Sequence, residues 1–198
     1  MIDNQFIESV AQQAIRSIEQ RQSTEFDCLY TIKNFLIDQA ISKLKNYLPA
    51  TTDQQWTTVA TQEHCNRRKL TWDSDTVIEE LHLAGDLLTP TISKIAGTSL
   101  NFLGLQIWKD WSGYLITPHQ DNPIIDASMQ LYLFDNSPNL GTTFSDDITN
   151  IEIPYVNNSG YLFFSKNVKN IKHSTTNITP ADVTRYSLYL VWSRTTKL

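Results

Sequence analysis

The sequence predicts an α+β fold, helices first and strands after them, and two observations carry that expectation. Up to about residue 97 the apolar residues recur every three to four positions, the period of one helix face. After Leu100 the period falls to two, and short β-rich runs are separated by turn residues. The 198 residues fit a single domain, expected as 1–198. Within it, 1–97 reads as mainly helical support and 98–198 as the sheet core.

Phe6, Val10, Ala14 and Ile18, flanked by Ile7, Ala11 and Ile15, form one broad apolar stripe and predict the first helix. Leu29 to Leu36 reads as a short strand. A second helix is expected over about 38–48, with Asp38 as its cap and Pro49 as its stop. Ala40, Ile41, Leu44, Tyr47 and Leu48 are its apolar face. A third helix starts near Ser74 or Asp75 and shows Val77, Ile78, Leu81 and Leu88. Pro90 opens a short fourth over Thr91–Ala96, with Gly97 as its C-cap. Beyond it, Leu103, Leu105 and Ile107 alternate with Gly104, Gln106 and Trp108. Further strands are expected at Tyr114–Thr117, Ser128–Phe134, Ile151–Tyr155, Tyr161–Phe164 and Arg185–Trp192. Asp135–Asn139 and Asn157–Gly160 supply turns, so the strands suit a sandwich or barrel.

Composition narrows the function classes. Sixteen Lys and Arg against 21 Asp and Glu leave a net charge of -5. That gives no electrostatic footprint for a nucleic-acid partner, which is therefore not expected. Cys28 and Cys65 are too few for a disulfide scaffold. No run approaches the 18 or more apolar residues of a membrane span, so no membrane partner is expected. MIDNQFIESVAQQ lacks the basic and apolar regions of a signal peptide. A soluble protein of a reducing compartment, the cytoplasm, is the expectation.

Four histidines are present: His64, His82, His119 and His173. On an extended segment, positions i and i+2 point the same way, so His119 and Asp121 can offer two ligands to one metal ion. Alone this is weak, since an accidental His-x-Asp occurs in roughly one such chain in four. His173 lies beyond two or three further strands, and Arg185 follows it at the start of the last one. Two histidines and one carboxylate make the facial triad of a non-haem Fe(II) oxygenase. An arginine in the same cavity can clamp a carboxylate with two parallel hydrogen bonds. Ser187 shares Arg185's side of the strand and can donate to the same carboxylate.

The stretches Gly113–Pro123, Gly141–Phe144 and Gly160–Phe164, then His173 and Thr184–Ser187, resemble the 2-oxoglutarate/Fe(II) dioxygenase superfamily, above all its prolyl-4-hydroxylase-like branch. The resemblance covers about 100–193, and Thr31–Leu36 resembles the family's entry to its first helix. It implies a double-stranded β-helix, or jelly roll, as the catalytic core of 98–198, backed by the N-terminal helices. It implies Fe(II) at His119, Asp121 and His173, and the distal carboxylate of 2-oxoglutarate at Arg185. Tyr132 is the nearest match to a tyrosine that often binds that carboxylate. The implied reaction consumes 2-oxoglutarate and O2, releases succinate and carbon dioxide, and hydroxylates a C–H bond, with ascorbate as a candidate reductant. Two departures touch no ligand. Leu140-Gly141 stands where a Gly-Gly pair is usual, and the His173–Arg185 spacing is slightly long.

Plainer readings stand beside each of these. His119 and Asp121 can be a surface turn, and Arg185 can neutralise a buried acid. An uncompensated charge on an apolar strand is costly, which favours a ligand carboxylate there. His64 beside Cys65 reads as an ordinary residue, His82 as exposed, and Arg67-Arg68-Lys69 as a solvated loop able to steer an acidic substrate. Trp108, Trp111 and Trp192 can line a site mouth, though strand aromatics are more often core. The substrate expected is a peptide or protein side chain such as proline, chosen by loops 48–75 and 135–150. The alternatives are a hydroxylase of a free amino acid or small metabolite, and a catalytically silent jelly-roll binding module. A halogenase is disfavoured because Asp121 fills the position a halide needs.

Overall fold

The structure is a computed structural model that describes residues 2–48, 53–58, 66–72, 76–165 and 170–194. Helix α1 (Asn4–Glu19) is followed by the short strands β1 (Gln22–Ser23) and β2 (Leu29–Lys33), then helix α2 (Asp38–Tyr47). Strands β3 (Trp56–Thr58) and β4 (Arg67–Leu70) precede helices α3 (Thr76–Asp86) and α4 (Thr89–Ala96). Seven strands complete the chain: β5 (Asn101–Asp110), β6 (Ala127–Leu133), β7 (Ser137–Ser145), β8 (Asn150–Tyr155), β9 (Ser159–Phe163), β10 (Lys172–Thr175) and β11 (Arg185–Ser193).

The strands form two antiparallel sheets that face each other, the jelly roll expected from the sequence. The larger runs β1-β2-β9-β6-β11-β5-β4-β3 and the smaller β10-β7-β8. Strand alternation divides the large sheet between two layers. Leu188, Leu190 and Leu105 meet Val10 and Ala14 of α1 and Leu81 and Ala84 of α3 on one face. Arg185, Tyr189 and Val191 of the same strand face the space between the sheets. β6 is covered on both faces, and all seven of its residues are buried. That explains why ASMQLYL reads as a nearly continuous apolar run rather than a clean alternation.

Several local readings are corrected by the structure. The first half is not only helical: β1 to β4 extend the large sheet, and β4 pairs with β5. Arg67-Arg68-Lys69 is therefore strand β4 and not a solvated loop. Asp38 is the first helical residue of α2 rather than its cap, which is Ile37 without a side-chain hydrogen bond. α4 begins at Thr89, and Gly97 closes it in the left-handed region at φ 66°. The start of α3 near Ser74 or Asp75, and His64 with Cys65, lie outside the described residues. Much of 135–150 is strand β7, disguised in sequence by turn-forming residues and a register shift between Ser137 and Thr142. Tyr114–Thr117 is extended but not a strand. It follows Gly113, whose φ is 82°, and the Ile116 amide donates to the Thr175 hydroxyl at 3.1 Å where a ladder would use a carbonyl.

Two glycines are required by close approach between strands. A β-carbon at Gly160 would overlap the carbonyl oxygen of Gln130 on β6, and one at Gly141 the carbonyl of Ile153 on β8. Gly160→Ala must push two paired strands apart. Thermal denaturation is expected to show a loss of about 2 kcal/mol, within the range for overpacked cores; an unchanged melting temperature would contradict this packing.

Candidate active site

The space between the sheets is a cavity of about 560 Å³, within the usual range for ligand sites of roughly 300–1,000 Å³. His119 and His173 meet there as a hydrogen-bonded antiparallel pair. The His119 amide donates to the His173 carbonyl at 3.0 Å, and the His173 amide returns the bond at 2.8 Å. Residues so opposed project to one face of the sheet, and the two imidazole centroids lie 4.3 Å apart. Asp121, two residues on, points the same way. His173 Nε2 is 3.6 Å from Asp121 Oδ1, and one ligand atom from each of the three residues lies within 4.8 Å of the others.

Local contacts leave these groups able to serve as metal ligands. His119 Nδ1 lies 2.9 Å from the Thr117 carbonyl, which accepts a hydrogen bond from it. That tautomer leaves the Nε2 lone pair free. Burial lowers the His173 pKa, against the opposing pull of Asp121, which favours the neutral ring that metal binding requires. Ser128 donates to Asp121 Oδ2 at 3.3 Å and leaves Oδ1 to the cluster.

Arg185 lines the same cavity and is 2% exposed. Its guanidinium carbon lies 5.0 Å from the Tyr155 ring centroid, 5.6 Å from Tyr114 and 6.0 Å from Tyr132. Nε and Nη1 have no hydrogen-bond partner among the described residues. The plain reading, that Arg185 neutralises a buried acid, meets an obstacle. Its opposite number on β5 is Asp110, and Arg67 holds that carboxylate in a two-pronged pair at 2.6 and 2.9 Å.

Ser187 and Tyr132, cross-strand partners on β11 and β6, bond to side chains that line the cavity. Ser187 Oγ accepts from Gln130 Nε2 at 3.1 Å, while Tyr161 donates to Gln130 Oε1 at 2.8 Å. Tyr132 donates to the Thr142 hydroxyl at 2.6 Å, and Thr142 and Gln130 line the cavity. Burial pushes the Tyr132 phenol up to about 12, so it is a neutral donor. Tyr132→Phe should lower stability by about 1 kcal/mol, the usual net worth of one hydrogen bond; chemical denaturation checks this, and no change would contradict the Thr142 bond.

Sequence reasoning overlooked Gln130, Tyr161 and Tyr189, and read Arg67 only as part of a solvated charge run. Tyr189 was within reach: it alternates with Arg185 and Ser187 on one strand face, and its hydroxyl contacts Asp121 and Ser128. Arg67 carried no local signal, because its partner is 43 residues away. Trp108 lines the cavity, Trp192 is core, and Trp111 lies under the Arg68 guanidinium at 5.1 Å. His82 is half-buried between Trp72 and Phe102 rather than exposed.

No family model and no curated protein matches the sequence. Solved structures do match in fold. A prolyl-4-hydroxylase from Pseudomonas putida superposes with a TM-score of 0.67 at 16% identity, covering 94% of this chain and 100% of that one. A prolyl hydroxylase from Trichoplax adhaerens, in complex with a hypoxia inducible factor oxygen degradation domain peptide fragment, gives 0.66 at 15% identity, covering 96% and 91%. HygX from Streptomyces hygroscopicus, with nickel and 2-oxoglutarate bound, gives 0.63 at 10% identity, covering 85% and 83%. The chain has the jelly-roll fold of 2-oxoglutarate/Fe(II) oxygenases.

Proposed function

We propose that the protein is a 2-oxoglutarate- and Fe(II)-dependent dioxygenase that hydroxylates a peptide or protein side chain such as proline. The observation that carries this is a buried guanidinium, two of whose nitrogens have no partner among the described residues, in the cavity that gathers His119, Asp121 and His173. A buried charge is stable when paired, and a ligand carboxylate supplies the missing partner. The donor set fits the metal: two neutral imidazoles and one carboxylate suit Fe(II) and leave positions open.

His119, Asp121 and His173 would hold the metal, and Arg185 the distal carboxylate of 2-oxoglutarate. Bound Fe(II) supplies oxygen activation coupled to decarboxylation of 2-oxoglutarate, with one oxygen atom entering a C–H bond. The chain's own work is orientation. Tyr114, Tyr132 and Tyr155 flank the Arg185 guanidinium, and the Tyr161–Gln130–Ser187 chain holds the wall beside it. In this reading Ser187 and Tyr132 assist Arg185 at the cosubstrate carboxylate, and their bonds to Gln130 and Thr142 hold them beside it. The peptide-bound Trichoplax adhaerens neighbour supports a peptide substrate, and the free, buried Cys28 thiol suits a reducing, cytoplasmic setting.

The test is succinate formation from 2-oxoglutarate under O2 with Fe(II) and ascorbate, coupled to a mass-shift screen of peptides against free amino acids. A gain of one oxygen atom on a peptide is expected. Turnover confined to free amino acids would move the substrate class, and no succinate under any condition would favour a silent binding module.

A further inference from the structure

The cavity that holds the His119–Asp121–His173 cluster continues into a second hollow of about 390 Å³. The two share Gln106, Asn122, Ile125 and Val191, so one wall runs unbroken from the cluster into the second space. Its far end is built by Trp72 just after β4, His82 of α3 and Leu103 of β5. Gly104 leaves it open: with φ at 145° the backbone suits glycine, and a β-carbon there would sit 3.7 Å from the His82 ring. The His82 ring is held between Trp72 and Phe102, at centroid distances of 5.8 and 5.1 Å. Burial lowers the pKa of that imidazole, against the opposing pull of Asp86 and Glu79, and its Nδ1 has no hydrogen-bond partner among the described residues. An indole, an imidazole and a leucine thus face the space, with Lys69, Gln106 and Asn122 also in its lining.

We infer that this hollow is a side-chain subsite, which takes an apolar side chain of an extended peptide whose reacting residue stands at the His119–Asp121–His173 cluster. The inference rests on the oxygenase reading and deepens it. A single amino acid at the cluster occupies the first cavity alone. A chain that runs on over Gln106 and Val191 reaches the second, where Trp72, His82 and Leu103 reward apolar burial and Lys69 penalises a cation. Complete burial of one such side chain corresponds to roughly 10-fold in affinity or more.

A proline-centred peptide library, randomised at flanking positions, tests this. Products formed with Fe(II), 2-oxoglutarate, ascorbate and O2 are sequenced by mass spectrometry. Binding of the selected peptide is measured separately on protein loaded with Zn(II) and 2-oxoglutarate, which does not turn over. Apolar residues are expected to be enriched at one fixed offset from the hydroxylated residue. Trp72→Ala should weaken binding of the selected peptide roughly 10-fold. Leu103→Lys, on a partly exposed strand position, should shift the preference at that offset from apolar to acidic, which a merely unfolded variant cannot do. Hydroxylation without preference at any offset, or a preference that survives both variants, overturns the subsite. Succinate formation with no peptide bound or hydroxylated overturns it while leaving the oxygenase reading intact. Failure to bind 2-oxoglutarate at all removes that reading, and the subsite with it.

Discussion

Replacing His173 by alanine is expected to weaken Fe(II) binding by about 100-fold or more, because loss of an outer-shell partner alone costs roughly 10–100-fold and His173 would be a direct ligand. The same holds for His119→Ala. The two rings are cross-strand neighbours tied by both backbone hydrogen bonds, so removing either side chain leaves the backbone pair and the other ring in place. The variants should therefore stay folded, and the loss should appear in the metal and not in the melting curve. Anaerobic titration of Fe(II), or metal analysis after gel filtration, checks this. Binding at wild-type strength in the double variant would remove the cluster from consideration.

Arg185→Leu is expected to raise the 2-oxoglutarate requirement by roughly 100-fold or more. Charged hydrogen bonds contribute about 1.5–3 kcal/mol each, and two of them lie beyond the 1.4 kcal/mol that equals one decade. Arg185→Lys keeps the charge but loses the planar fork, and should bind weakly rather than not at all. A second measurement separates a ligand role from a structural one. Breaking a buried ion pair on one side costs about 3–5 kcal/mol, because it strands the partner charge. Arg185 has no such partner among the described residues, and Asp110 keeps Arg67 in the variant. Ligand-free Arg185→Leu should escape that loss and lose only the stabilisation that 2-oxoglutarate confers on the wild type. A large loss of stability without ligand would make Arg185 a structural residue.

The parts of this molecule that were legible in the sequence share one property: their signal is local. α1 is written in the four-residue spacing of Phe6, Val10, Ala14 and Ile18, and all four are buried. The period-two run at Leu103–Ile107 is β5, and His119 and Asp121 are two residues apart on one segment. The cavity itself was reached only through the order of His119, Asp121, His173 and Arg185 along the chain. What was missed depends on pairing across long separations. Arg67 enters the cavity because β4 adds to the edge of β5, and nothing near Arg67 announces that pairing. β7 was hidden because Gly141, which looks like a turn residue, is there to let the Ile153 carbonyl approach. His82 looked exposed beside Glu79 and Glu80, but Trp72 and Phe102 come from other elements to cover it.

The most direct measurement is a crystal structure of the protein grown anaerobically with Mn(II), as a stand-in for Fe(II), and 2-oxoglutarate. One metal ion is expected within about 2.0–2.3 Å of His119, Asp121 and His173, at ordinary first-row ligand distances. One carboxylate of 2-oxoglutarate should lie on the Arg185 guanidinium, on the Nε and Nη1 atoms that have no partner among the described residues. A metal bound elsewhere, or 2-oxoglutarate lodged away from Arg185 with the guanidinium turned to a protein carboxylate, would contradict the oxygenase reading.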